Sequence, residues 1–96
     1  MDAYYYNAHD DFLIRYTPPT VAAGPDGGFA ATGSYAISSV HGAQPSEPES
    51  YTGYPADTRE AVETAYREKV LCGAQPITVD EALAHGRRWK VDVTAG

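Results

Sequence analysis

The chain is 96 residues long with a formal net charge of −6 and a hydrophobic share of 43%. That length holds one core and leaves no room for a second, and the apolar content excludes a wholly disordered chain. A single cysteine, Cys72, excludes an intrachain disulfide and a cysteine-based zinc site.

Residues 3–6 and 12–17 are rich in aromatic and β-branched types, and "NAHDD" between them is turn chemistry. The pattern predicts two antiparallel strands with a five-residue connection. Phe12, Ile14 and Tyr16 share one face of the second strand, and Leu13, Arg15 and Thr17 the other. Pro18 and Pro19 end it, since neither can donate to a ladder. "TVAAGPDGG" reads as a loop, with turn signals at Gly24-Pro25 and Asp26-Gly27-Gly28. A third strand is expected over 29–40, with Phe29, Ala31, Tyr35 and Ile37 on one side and Gly33 at a bulge or close backbone approach. Residues 41–56 hold prolines, glycines and glutamates but few aliphatic side chains, which predicts a long mobile loop of the kind that carries function.

The last third is strongly patterned. Asp57 followed by Glu60 suggests a capping box and a helix beginning near Thr58. Val62, Tyr66 and Val70 form its apolar stripe, and Gly73 stands where the helix should end. Thr78 and Glu81 mark a second helix start, with Ile77 placed to staple onto Ala82 and Gly86 as the stop. "RRWKVDV" alternates, so a closing strand is expected with Trp89, Val91 and Val93 facing in. The expected architecture is α+β: one domain spanning 1–96, an antiparallel sheet of three to four strands in β-β-β-α-α-β order, and two short helices packed on one face.

Charge is distributed unevenly along the chain. Asp2, Asp10, Asp11, Asp26, Glu47, Glu49 and Asp57 face one base, Arg15, before residue 59, whereas acids and bases balance afterwards. The same N-terminal part carries every tyrosine except Tyr66. Such asymmetry repels nucleic acid and attracts basic partners, although mild acidity also serves solubility. The segment after Met1 lacks the pattern of a signal peptide, and no apolar run approaches the roughly 20 residues needed to cross a bilayer. A cytoplasmic protein is expected.

Four motifs carry residue types that could support chemistry. His9-Asp10-Asp11 offers metal-binding or acid/base groups and, with a second histidine, would support a small metal-dependent hydrolase. Adjacent strand positions point to opposite faces, however, and no partner recurs at ligand spacing, so a polar turn fits better. Cys72 falls at a helix C-terminus, where the macrodipole opposes a thiolate, and reads as a packed, inert thiol. "GPDGGFAATG" lacks the lysine of a phosphate loop. Arg87, Arg88 and Lys90 around Trp89 are too few for a nucleic-acid footprint, which predicts a core Trp89 with its basic neighbours solvated or paired with acids.

The acidic, tyrosine-bearing half remains. Tyrosines give stiff amphipathic contact area, and carboxylates steer a basic partner. The sequence therefore points to a small non-enzymatic binding protein without cofactor or metal. Its partner-contact residues would be Tyr5, Asp10, Asp11, Asp26, Glu47, Glu49, Tyr51 and Tyr54. The partner would be a basic protein, in one version a nucleic-acid-binding complex whose groove the carboxylates fill in place of phosphates. Small phage proteins that disarm CRISPR or restriction systems share this general profile: short, acidic and free of catalytic motifs. A homo-oligomeric assembly subunit pairing through strand edges is the structural alternative.

Overall fold

A computed structural model describes residues 3–24 and 27–94. Among these described residues seven strands form one antiparallel sheet, more than the three to four expected, and two helices pack against it. β1 (Ala3–Asn7) and β2 (Phe12–Tyr16) form the first hairpin, paired from Ala3↔Tyr16 to Asn7↔Phe12. Asn7 thus belongs to the ladder, and the connection is one residue shorter than expected. Its side chain accepts a hydrogen bond from the Asp10 N–H at 3.0 Å, closing the turn.

The extra strands arise where the sequence shows breakers. Pro18 and Pro19 interrupt the ladder without ending it: the chain resumes as β3 (Thr20–Ala23), in the segment expected to be a loop. Both β2 and β3 pair with the long β4 (Phe29–Ser39), along the same edge. Between the pairs Tyr16↔Tyr35 and Thr20↔Thr32 the first strand carries one more residue than β4, a bulge centred on the proline pair. Gly33 lies opposite it. A Cβ there would stand 2.7 Å from the Tyr66 hydroxyl and 3.2 Å from the Pro19 Cα, so the close approach expected at Gly33 is real.

The second edge of β4 is where the sequence reading departs furthest. Residues 41–56 are not one long loop. β4 turns at Val40-His41 into β5 (Gly42–Ala43) and then β6 (Glu47–Thr52), both antiparallel to β4. Another bulge separates them, because Gln44, Pro45 and Ser46 oppose only Ala36 and Ile37. Pro48 is tolerated because β6 is an edge strand whose outward N–H has no ladder partner to lose. Low aliphatic content was the misleading signal: an edge strand needs few buried side chains.

Helix α1 (Arg59–Leu71) begins at Thr58, whose hydroxyl accepts from the Ala61 N–H at 3.1 Å. Thr58 is the N-cap in place of Asp57, whose carboxylate instead accepts from the Tyr54 N–H at 2.8 Å. The stripe Val62, Tyr66 and Val70 is buried, as its spacing requires, and Cys72 and Gly73 end the helix in left-handed backbone. The chain then adds β7 (Gln75–Ile77), a short edge strand on β1 that the sequence did not announce. Helix α2 (Val79–Trp89) follows with the Thr78/Glu81 capping box in place.

Two expectations fail at this end of the chain. The helices do not share a face. Ile14 and Tyr16 pack with α1 in one cluster, whereas their strand neighbour Leu13, with Tyr4, packs with Ala82 and Trp89 of α2 in another. Neighbouring strand residues point to opposite sides, so the helices sandwich the sheet. The crossing is made by β7, which carries the chain along the sheet edge from one side to the other. Nor is there a closing strand over 87–93: α2 runs on through Trp89. Lys90 then adopts left-handed backbone, and the Val91 N–H donates to the Gly86 carbonyl at 2.8 Å. This return drops Val91 and Val93 into the Trp89 cluster. Gly86 permits it, since a Cβ there would come within 2.7 Å of the Val91 carbonyl oxygen. The alternation at 89, 91 and 93 records inward-facing residues correctly, but a helix end followed by a sharp return produces it.

Leu13, Ile14, Val62 and Tyr66 are fully buried, and burial of each aliphatic member contributes about 1.5–3 kcal/mol. None of the described helices is long and apolar enough to cross a membrane.

Candidate functional site

The side of the sheet covered by α2 carries a closed polar and aromatic cluster. The Tyr6 ring stacks on His85 at a centroid distance of 4.0 Å, and His85 stacks on Trp89 at 5.5 Å. Arg88 lies over Trp89, 4.9 Å from the ring centroid, and donates to Asp11 from both terminal guanidinium nitrogens, Nη2 at 2.8 Å and Nη1 at 3.3 Å. The Tyr6 hydroxyl donates to the same carboxylate. Arg88 Nη2 also lies 2.8 Å from His85 Nδ1; a guanidinium only donates, so Nδ1 accepts and the imidazole proton sits on Nε2. The Arg88 bond, then the Tyr6 bond, hold the Asp11 carboxyl well below the usual carboxylate range. The bond to Asp11, with burial, raises Tyr6. Each charged group here answers another within the fold. Pairing of the basic residues around Trp89 with the acidic half, as the sequence suggested, takes this form for Arg88.

The opposite side, covered by α1, is different at its β5–β6 edge. Beside the bulge at Gln44–Ser46 lies a pocket of about 190 Å³ lined by Tyr35, Ile37, Gln44, Pro45 and Glu47. Ile37 accepts the Gln44 N–H at 2.8 Å, which fixes the inner wall. Tyr35 and Glu47 are direct cross-strand partners, so ring and carboxylate project on the same face. Among the described residues the Glu47 carboxylate has no ion pair, whereas Glu49, two positions on, is bound by Lys69 at 3.1 Å. The Ser50 N–H and then Lys69 lower the Glu49 carboxyl.

The expected contact residues do not form one patch. Asp10 and Asp11 lie at the β1–β2 turn, Asp10 exposed beside His9 (3.0 Å) and Asp11 occupied by Arg88. Glu47, Glu49 and Tyr51 line up on one face of β6. Tyr51 packs against the core beneath α1, and so does Tyr5, whose ring meets Tyr16 edge-on at 6.0 Å. Tyr54 is 75% exposed, but it adjoins Gly28, at the far end of β4 from the β1–β2 turn. β4 alone spans about 35 Å at the extended rise per residue. Asp26 lies outside the described residues. Cys72 is exposed, not packed, its thiol directed at the Lys69 carbonyl at 3.2 Å.

Among the described residues no three His, Cys, Asp or Glu side chains converge as metal ligands would. His9 is turned to solvent, and Asp11 is already bound. Sequence reasoning missed the stacking of His85 on Trp89, because the expected stop at Gly86 hid their spacing of one helical turn. It also missed the pairing of Tyr35 with Glu47, for which Pro45 was the available signal once read as a bulge residue. The chain matches no protein-family model, no curated protein and no solved structure.

Proposed function

We propose that this chain is a small non-enzymatic binding protein that docks on a basic protein through the face of its β4–β5–β6 edge. The observation that carries the reading is the Glu47 carboxylate, unpaired among the described residues, at the rim of a pocket floored by Tyr35 and Ile37. Tyrosine and carboxylate together favour a cationic partner surface. Asp10 adds a second exposed carboxylate at the β1–β2 turn. Tyr54, at the other end of the sheet, adds exposed aromatic area. Docking uses the face and not the strand edge, because Glu47, Pro48 and Glu49 in succession oppose addition of another strand. The same features suit an inhibitor that occupies a nucleic-acid-binding groove with carboxylates in place of phosphates.

The test is affinity capture from the native host at low and high salt, with wild type and Glu47→Lys side by side. A partner held by wild type at low salt and lost on charge reversal supports the reading. A partner held equally by both, or no partner, overturns it.

A further inference from the structure

We infer that the Tyr35–Glu47 pocket receives a single arginine side chain of the partner; the inference rests on the binding reading above and names the group recognised. The volume of about 190 Å³ falls below the roughly 300–1,000 Å³ of clefts that hold drug-sized ligands, so one side chain fits and a cofactor does not. The lining specifies its chemistry. Pro45, Ile37 and the Tyr35 ring take an apolar stem and a flat cationic head. Glu47 demands a positive charge, and the Gln44 amide oxygen offers a second acceptor. A phosphate or carboxylate would meet Glu47 with like charge, and a purely apolar group would strip water from it without return. No lining residue is basic, so nothing in the pocket competes for the carboxylate.

Arginine is favoured over lysine for two reasons. Its planar guanidinium stacks on an aromatic face while donating to a carboxylate, which a compact ammonium does less well. The fold also uses that arrangement internally on the opposite face. There Arg88 lies 4.9 Å from the Trp89 ring centroid and donates to Asp11, an aromatic ring, a carboxylate and a guanidinium in one unit. Tyr35 and Glu47 reproduce the ring and the carboxylate, side by side on adjacent strands, without the guanidinium.

Titration of ¹⁵N-labelled protein with the blocked tripeptide acetyl-Gly-Arg-Gly-amide, followed by amide chemical shifts, tests this directly. The citrulline and lysine tripeptides are the controls, citrulline keeping the shape without the charge. The arginine peptide should shift the amides of Tyr35, Ile37, Gln44 and Glu47, and citrulline should not. Glu47→Gln, an exposed substitution that leaves the remaining spectrum in place, should weaken binding about fivefold, the upper end for a solvent-exposed ion pair. Absence of localised shifts, equal response to citrulline, or lysine binding as tightly as arginine overturns the assignment. The two proposals fail separately. A partner captured through Glu47 with no response to the tripeptide removes the arginine pocket alone. A localised tripeptide response with no captured partner removes the binding reading and leaves the pocket.

Discussion

The two faces of the sheet solve the same chemical problem in opposite ways. On the α2 side, Asp11 is paired by Arg88 and the Tyr6 hydroxyl, and the rings of Tyr6, His85 and Trp89 stack into one column. On the α1 side, Glu47 stands beside Tyr35 with no cation of its own among the described residues. Two acid–aromatic pairs from a similarly acidic stretch of sequence therefore have different meanings. One is part of what holds hairpin and helix together, and the other faces outward. Counting carboxylates cannot separate them; only the identity of the side chain brought opposite each can.

The largest effects should come from the cores that define the faces. Leu13→Ala empties a fully buried site beneath α2 and should cost about 2–5 kcal/mol in urea denaturation. It should also loosen the Tyr6–His85–Trp89 column, seen as a change in tryptophan fluorescence below the unfolding transition. The pocket amides of Tyr35 and Glu47 should keep their shifts, because Leu13 points away from that face. Movement of both sets together would mean that the faces are not independent.

A smaller effect is expected at a close approach on the α1 face. Gly33→Ala places a methyl against the Tyr66 hydroxyl and the Pro19 backbone, which should cost about 1–3 kcal/mol through overpacking. The Tyr66 hydroxyl is buried without a hydrogen-bond partner among the described residues. Tyr66→Phe should therefore be close to neutral alone and should recover part of the Gly33→Ala loss. A strictly additive double mutant would show that Pro19, not the phenol, sets the limit.

The smallest effect sharpens the comparison through pH. Asp11 is held below its ordinary value by Arg88 and Tyr6. Its contribution to stability is therefore complete above the unfolded carboxylate range, near pH 4. It is lost as the pH falls from there through the depressed folded value. Asp11→Asn should flatten the acid limb of the stability profile followed by urea denaturation. An acid limb unchanged by Asp11→Asn would show that the Arg88 and Tyr6 bonds do not stabilise the fold through this carboxylate.

Much of the local structure was legible in the residues themselves. The first hairpin, the β4 strand, the Val62–Tyr66–Val70 stripe and the Thr78/Glu81 cap follow from alternation, helical spacing and capping chemistry, which act over a few residues. The missed strands share one cause. β3, β6 and β7 are short edge or bulged strands whose partners supply the order that their own composition lacks, and prolines within them looked like terminators. The candidate site was visible only in part. Glu47 was named for its charge, but Tyr35 and Pro45 become its neighbours through a register shift that no local pattern shows.

The sequence by itself determined where the two helices begin, which stripe of α1 is buried, and that uncompensated acid is concentrated before residue 59. Tertiary structure alone decided that the helices lie on opposite faces, because a three-residue edge strand carries the chain across. It alone decided which carboxylates are neutralised. Asp11 meets Arg88 from 77 positions away and Glu49 meets Lys69, while Glu47, on the same face of β6 as Glu49, meets no cation among the described residues. Pairing of charges depends on distances of a few ångströms between remote segments, and those distances exist only once the sheet has fixed its register.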